Sequence, residues 1–306
     1  MNQSVQTITL IEKVKFKISQ NLELFLPLMN TFGLQLTILN AFPGIGDVLL
    51  LTSLVESIKK KYPNIKINVI TNHCGLLKNN VSISKINQKT TFFTFRHWYL
   101  EIRQNKNPKK HILTESLEKL GLSSQIQNPS YFVTVEERKN AVQILRTYND
   151  KPLLAINTVS KEPTKNWLPQ HWNKLIVKLA EHFTLIQLGD ENEITFDNTV
   201  RLAGKLNLRE SISVLEKCSL FIGGVIFLMH AAAAVGVKSV IIYGGRETPS
   251  NSGYKQNANL FENMNCGPCW IHQEDGEVCD NNHQCMQKIN PELVYSTIIN
   301  LLAKRA

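Results

Sequence analysis

The sequence predicts an α/β protein made of two Rossmann-like, doubly wound domains that face a cleft. Three observations lead there. At 306 residues the chain is too long for one ordinary domain and suits two, each with a core of its own. Apolar strands and amphipathic helices alternate, as parallel sheets require. A new apolar strand follows Lys151-Pro152, so the pattern starts twice. The boundary is set there, with one domain over residues 1–150 and a second over 151–306. Crevices between such domains are where ligands bind.

Each element has its own reason. Over residues 1–35, Ile11, Val14, Ile18, Leu22, Phe25 and Leu26 recur at three- and four-residue steps with lysines between them. This predicts a leading amphipathic helix that packs on the first domain, and its basic side can also rest on a membrane surface. Residues 36–40 read as a buried strand. The turn Pro43-Gly44-Ile45-Gly46 and a helix opening at Asp47 follow, with Val48, Leu51, Leu54, Val55 and Ile58 on one face and a stop at Lys59-Lys60-Lys61-Tyr62-Pro63. A strand over 65–71 completes a strand-helix-strand unit. Between 85 and 150 only helices at 115–120 and 135–148 are legible. Strands at 153–157, 184–188, 220–222 and 239–243 then alternate with helices at 171–182, 208–217 and 229–235, a second doubly wound sheet. Asn290-Pro291-Glu292 announces a terminal helix, which can pack back on the first domain.

Composition narrows the class. With 43% hydrophobic and 19% charged residues and no long apolar run, the chain reads as a folded soluble protein without a transmembrane span. The first apolar stretch, 8–11, is short and followed by Lys13, Lys15 and Lys17, so no secretory leader is read and the cytoplasm is expected. The net charge of +9 suits nucleotide phosphates or anionic lipid headgroups. Scattered lysines without interleaved aromatics argue against nucleic acid.

Four segments can carry chemistry. Gly44-Ile45-Gly46-Asp47 joins a strand to a helix, where glycines admit close approach and free amides attract an anion, although Asp47 can equally cap the helix. Ser160-Lys161-Glu162-Pro163-Thr164-Lys165-Asn166-Trp167 follows the first strand of the second domain, where a lysine can neutralise a diphosphate; by itself it reads as solvated surface. Gly223-Gly224 leads through Val225-Ile226-Phe227 to His230 and four alanines, with His230 read either as a phosphate neighbour or as a core histidine. Cys266-x2-Cys269-x9-Cys279-x5-Cys285 has the spacing of a metal knuckle, with His272 or His283 as alternative ligands; disulfides fit a reducing compartment less well. Cys74 and Cys218 stand apart and are expected to be buried.

In this order the segments resemble glycosyltransferase family 9, whose members include ADP-heptose heptosyltransferases. The matching residues are Gly46-Asp47-Val48-Leu49, Lys165-Asn166-Trp167, Leu188-Gly189-Asp190-Glu191-Asn192-Glu193, Leu202-Ala203-Gly204, Met229-His230-Ala231-Ala232, Tyr243-Gly244-Gly245 and Cys266-Gly267-Pro268-Cys269. The resemblance spans roughly residues 36–304, and members with a cysteine-rich stretch, some with bound iron, are the most similar. It implies the GT-B arrangement and inverting transfer of a sugar, heptose from ADP-heptose, to a hydroxyl on lipopolysaccharide or protein. Asp47 would be the general base. Gly44, Gly46, Ser160, Lys161, Lys165, Gly224 and His230 would meet the donor, with Glu193 near its ribose. One structural ion, iron or zinc, would sit on Cys266, Cys269, Cys279 and Cys285. A homo-oligomer and peripheral contact with the inner face of the plasma membrane are compatible with it. Where many members carry an acid, a small hydroxyl residue and glycine, this chain has Val225-Ile226-Phe227, which leaves a non-catalytic binding or partner subunit as the rival reading.

Overall fold

The computed structural model describes residues 14, 17–42, 44–99, 109–123, 126–148, 150–269 and 278–303. Residues 1–13 of the expected leading helix, Pro43, His272 and the polar run 273–276 lie outside the described residues. The chain divides into two compact units, residues 1–99 with 113–127, and residues 100–112 with 128–306.

The first unit is a four-stranded parallel sheet in the order β3-β2-β1-β4, from β1 (Gln35–Asn40), β2 (Lys66–Ile70), β3 (Lys85–Ile86) and β4 (Thr94–His97). Before it runs α1 (Leu22–Thr31), which buries Leu22, Leu26 and Met29. Between β1 and β2 runs α2 (Ile45–Lys61), two residues earlier than expected because Gly44 takes the N-cap. Its lysine stop works as read: Lys59 donates to the Ile65 carbonyl at 3.1 Å. A short α3 (Thr114–Lys119) returns to this unit. Cys74, expected inside, is exposed at the start of the turn Cys74–Leu77.

The second unit holds a six-stranded parallel sheet, β10-β9-β8-β5-β6-β7, from β5 (Leu153–Ile156), β6 (Thr184–Gln187), β7 (Val200–Arg201), β8 (Leu220–Gly223), β9 (Ser239–Tyr243) and β10 (Ala258–Phe261). Its helices are α4 (Val135–Leu145), α5 (Pro169–Ala180), α6 (Leu208–Glu216), α7 (Phe227–Ala234), α8 (Pro249–Ser252), α9 (Gln284–Lys288) and α10 (Pro291–Ala303). The boundary therefore differs from residue 150. Helix α4 packs on α6, where Arg209 pairs with Glu137 and Arg138 with Glu216 at 2.8 Å. An amphipathic pattern states that a helix has a buried face, not which sheet it covers.

The core of this unit lies on α5, whose Trp172, Leu175, Ile176 and Leu179 follow a helical stripe and are all buried. The capping expectation at α10 holds: the Leu293 amide donates to Asn290 Oδ1 at 2.8 Å. Its buried face, Pro291, Val294 and Ile298, packs within the second unit, where the helix contacts α5, β9 and β10. Among the described residues no helix is long and apolar enough to cross a membrane.

Trp172 sets a measurable load on this core. It meets Trp167 edge to face, ring centres 5.1 Å apart, and its Nε1 has no hydrogen-bond partner among the described residues. Trp172→Ala should destabilise the second unit by about 3 kcal/mol, the low end for a buried tryptophan, because the change also removes a buried unpaired donor. Denaturant unfolding followed at the second unit measures it, and a loss near zero would contradict the packing.

Candidate functional site

In the first unit the site is built at the carboxyl end of β1, where parallel sheets bind ligands. Gly44 caps α2, and a Cβ added there would overlap Asp47 Oδ2. Glycine is thus required for the carboxylate to fold back over the turn. The other oxygen, Oδ1, accepts from the Tyr99 hydroxyl at 2.9 Å. Tyr99 follows β4, the neighbour of β1, in register at Asn40 and His97. Gly46 lies in the first turn of the helix. No capping bond from the N-cap side chain competes, since that residue is glycine.

In the second unit the loop after β5 is organised by Glu193. Its carboxylate is buried and accepts from Asn157 Nδ2 at 2.8 Å, the Thr158 amide at 2.8 Å and hydroxyl at 2.6 Å, the Val159 amide at 3.0 Å and Gln187 Nε2 at 3.3 Å. Burial raises its pKa, opposed by the bonds from Thr158, Val159 and Gln187. Gly189, at φ +143°, leaves space for this carboxylate: a Cβ would stand 2.7 Å from Asn157 Nδ2 and from Glu193 Cγ. The two oxygens are already engaged by the chain's own donors, so Glu193 holds the loop. Sequence reasoning missed Asn157, Thr158 and Gln187, which read as ordinary strand ends.

Further along the same loop, Ser160, Lys165 and Gly224 line one small cavity of about 10 Å³, room for a single water, whereas Lys161 is exposed. Lys165 Nζ stands 2.9 Å from Glu162 Oε1 and 2.8 Å from Glu247 Oε1. Burial alone would lower its pKa, but the carboxylates of Glu247 and Glu162 outweigh it and hold the lysine above its ordinary value. Arg246, also buried, donates to Glu162 Oε2 at 2.6 Å. The result is two cations and two anions in one cluster. Glu162, Glu247 and Arg246 carried no sequence signal beyond their position after a strand. His230 is buried against the Tyr254 hydroxyl, 2.6 Å from Nδ1, and burial brings its pKa down to about 4. It is neutral at pH 7. His111 lies within electrostatic reach of His230 and Glu247 and is likewise pushed down to about 4 by burial.

The four clustered cysteines converge. Cys266, Cys269, Cys279 and Cys285 line one cavity of about 230 Å³ together with Val278, Asp280, Asn281 and Gln284. Backbone amides point at two of the sulfurs, Gly245 at Cys285 and His283 at Cys279, each at 3.2 Å. Burial and the neighbouring thiols push Cys269 up to about 11. Among the described residues, however, no three side chains are arranged as they stand to hold a metal ion. Part of the segment is fixed by apolar packing: Cys285, Met286 and Ile289 join the core, and Trp167 Nε1 donates to the carbonyls of Met286 and Ile289 at 3.1 and 2.8 Å. Cys218, as expected, is buried, its thiol pushed up to about 12.

Comparison with known proteins adds to this geometry. The lipooligosaccharide heptosyltransferase 2 of Haemophilus influenzae is 26% identical over 156 residues, 46% of this chain and 44% of that protein. The chain thus spans less than half the length of this curated relative. A glycosyltransferase family 9 protein from Veillonella parvula superimposes with a TM-score of 0.68 at 14% identity, covering 88% of this chain and 97% of that one. TibC of enterotoxigenic E. coli, described as an iron-containing dodecameric glycosyltransferase, gives 0.71 at 18% identity over 89% of this chain and 76% of that one. The expected fold, two Rossmann-like α/β sheets of the GT-B class, is the fold observed. The family model for glycosyltransferase family 9 (heptosyltransferase) matches residues 95–277, more than half of the sequence, and the chain belongs to that family.

Proposed function

We propose that the protein is an inverting glycosyltransferase that moves heptose from ADP-heptose to a hydroxyl of a lipopolysaccharide or protein acceptor. The observation that carries this reading is Asp47, a carboxylate fixed by a tyrosine at the carboxyl edge of the first sheet, in a chain of this family. TibC is also described in complex with ADP-D-β-D-heptose, which supports the donor. The acceptor oxygen attacks the anomeric carbon opposite the diphosphate, its proton passes to Asp47, and the carbon–oxygen bond to the diphosphate breaks with its electron pair leaving on ADP. Lys165 serves the diphosphate, which must compete with Glu162 and Glu247 for the ammonium. The further donor contacts proposed are, in the first unit, the backbone at Gly44 and Gly46 and, in the second unit, the backbone at Gly224 and the loop of Ser160 and Lys161. Neutral His230 contributes a hydrogen bond and not a charge. Glu193 acts through the loop it holds.

Asp47→Asn preserves shape and removes the proton acceptor, so ADP release with acceptor present should fall about a hundredfold or more while ADP-heptose binding, read by thermal shift, stays near normal. Near-normal turnover in that variant would overturn Asp47 as the base, whereas no turnover by the unaltered protein with any acceptor would favour the non-catalytic subunit.

The cysteines are proposed to hold one structural ion, iron or zinc, as thiolates that close around it and leave no open position for substrate. The amides aimed at Cys279 and Cys285 suit bound thiolates, and the iron named for TibC supports the same reading. Elemental analysis should find about one metal per chain, and Cys269→Ser should release it. Metal-free protein with four titratable thiols would sink the site.

The location is proposed as cytoplasmic, peripheral to an anionic membrane. Leu24, Leu28 and Phe32 form an exposed ridge on α1 at 70, 51 and 68% accessibility. The sequence of the first unit carries twelve Lys and Arg against six Asp and Glu. TibC's description as dodecameric supports self-association as well. At low salt the protein should sediment with phosphatidylglycerol vesicles and Leu28→Asp should weaken this; no sedimentation would make α1 a packing element only.

A further inference from the structure

We propose that Tyr99 is a positioning residue for Asp47, held for that task by an aromatic stack. The inference rests on the reading of Asp47 as the base and adds a residue to it. Tyr99 donates to Oδ1 at 2.9 Å, while the Gly44 turn leaves space for Oδ2. One carboxylate oxygen is thereby tied and the side chain's rotation is fixed. A hydrogen bond from a phenol to a carboxylate is favoured by the charge and stabilises the ionised form, the form able to take a proton.

The phenol is itself immobilised. Its ring stacks on Phe42 with centres 3.8 Å apart and planes at 21°. Phe42 also stacks on Trp98, at 4.8 Å and 17°, and the Arg96 guanidinium lies over the Trp98 ring at 4.7 Å. Phe42 follows β1 and the other three residues lie on or just after β4, so the register of the two adjacent strands brings the stack to the edge where Asp47 begins α2. Packing of this kind supplies rotational order that a single hydrogen bond cannot. The column therefore runs from Arg96 to the carboxylate through three rings.

Among the described residues, the other titratable or charged groups on these elements are Arg96 and His97 on β4, Lys66 on β2, His73 before and Cys74 in the turn Cys74–Leu77, Glu56, Lys59, Lys60 and Lys61 on α2, and Glu115, Glu118 and Lys119 on α3. Burial lowers His97 to about 4, so it is uncharged at pH 7, and its Nδ1 is bonded to Ser116 at 2.9 Å. Glu115 is paired with Lys119 at 3.0 Å.

Tyr99→Phe keeps the ring and deletes the donor. With ADP-D-β-D-heptose and lipopolysaccharide as probes, kcat should fall about tenfold with KM for the donor unchanged. The acidic limb of the kcat/KM profile should move to higher pH, because the ionised carboxylate loses a donor. Carbon-13 NMR of the Asp47 carboxyl should show the same upward movement without any acceptor present. In the Asp47→Asn background the tyrosine change should cost nothing further. If Asp47→Asn is inactive but Tyr99→Phe leaves both the carboxyl titration and the pH profile unmoved, with or without a drop in melting temperature, the positioning role is overturned and the base stands. If Asp47→Asn remains active, the base reading fails and this inference falls with it.

Discussion

The constraint on which the second unit's site depends is the burial of one carboxylate. Glu193 is almost entirely removed from water, where an unpaired negative charge would cost several kcal/mol. Five donors from three places meet it: the loop after β5, the end of β6, and the side chain of Asn157 beside them. The amides of Thr158 and Val159, which would otherwise point at nothing, are satisfied by the same two oxygens. Loop shape is thus fixed before the lysine six residues further on is placed. Gly189 is the complementary requirement, since any side chain at its φ of +143° would occupy the carboxylate's space.

A second constraint sits at the end of β9, where Gly244 and Gly245 lie between the lysine loop and the cysteines. A Cβ on Gly244 would strike Met286 and approach the Thr164 carbonyl to 2.8 Å, and one on Gly245 would reach Cys269 Sγ at 3.1 Å. The next two residues, Arg246 and Glu247, close the charge cluster around Lys165. Close backbone approach therefore brings the cysteine segment and the lysine loop onto one strand end. Order in either one bears on the other through a contact of glycine backbone with sulfur and with a carbonyl. The neutral charge balance of the cluster explains how a lysine this buried remains protonated.

Much of this was legible from the chain alone. The strands at 153–157, 184–188 and 239–243 were visible as continuous apolar runs, and α5 as a 3.6-residue stripe, because parallel strands buried on both faces and a helix buried on one leave those patterns. The Asn290 cap and the lysine stop of α2 were read at the right positions. The short strands β3, β4, β7 and β10 were not, since two to four residues at a sheet edge are too few to show a period. Exposed Cys74 was misread because cysteine burial is a tendency of the residue type and not of the position.

The sequence by itself determined the two α/β units, the order of the glycine turn, the lysine loop and the cysteine cluster, and the family resemblance they carry. These are local patterns, each readable within a few turns of chain. Only the tertiary structure decided that α4 belongs to the second unit, that Glu193 organises a loop 36 residues away in sequence from its partner Asn157, that Lys165 is shared by Glu162 and Glu247, and that Tyr99 reaches Asp47 from 52 residues away. The last three share one physical reason. A polar side chain chooses its partner by which strand ends the sheet order places side by side, and sheet order is a property of how the helices pack, which no stretch of sequence contains.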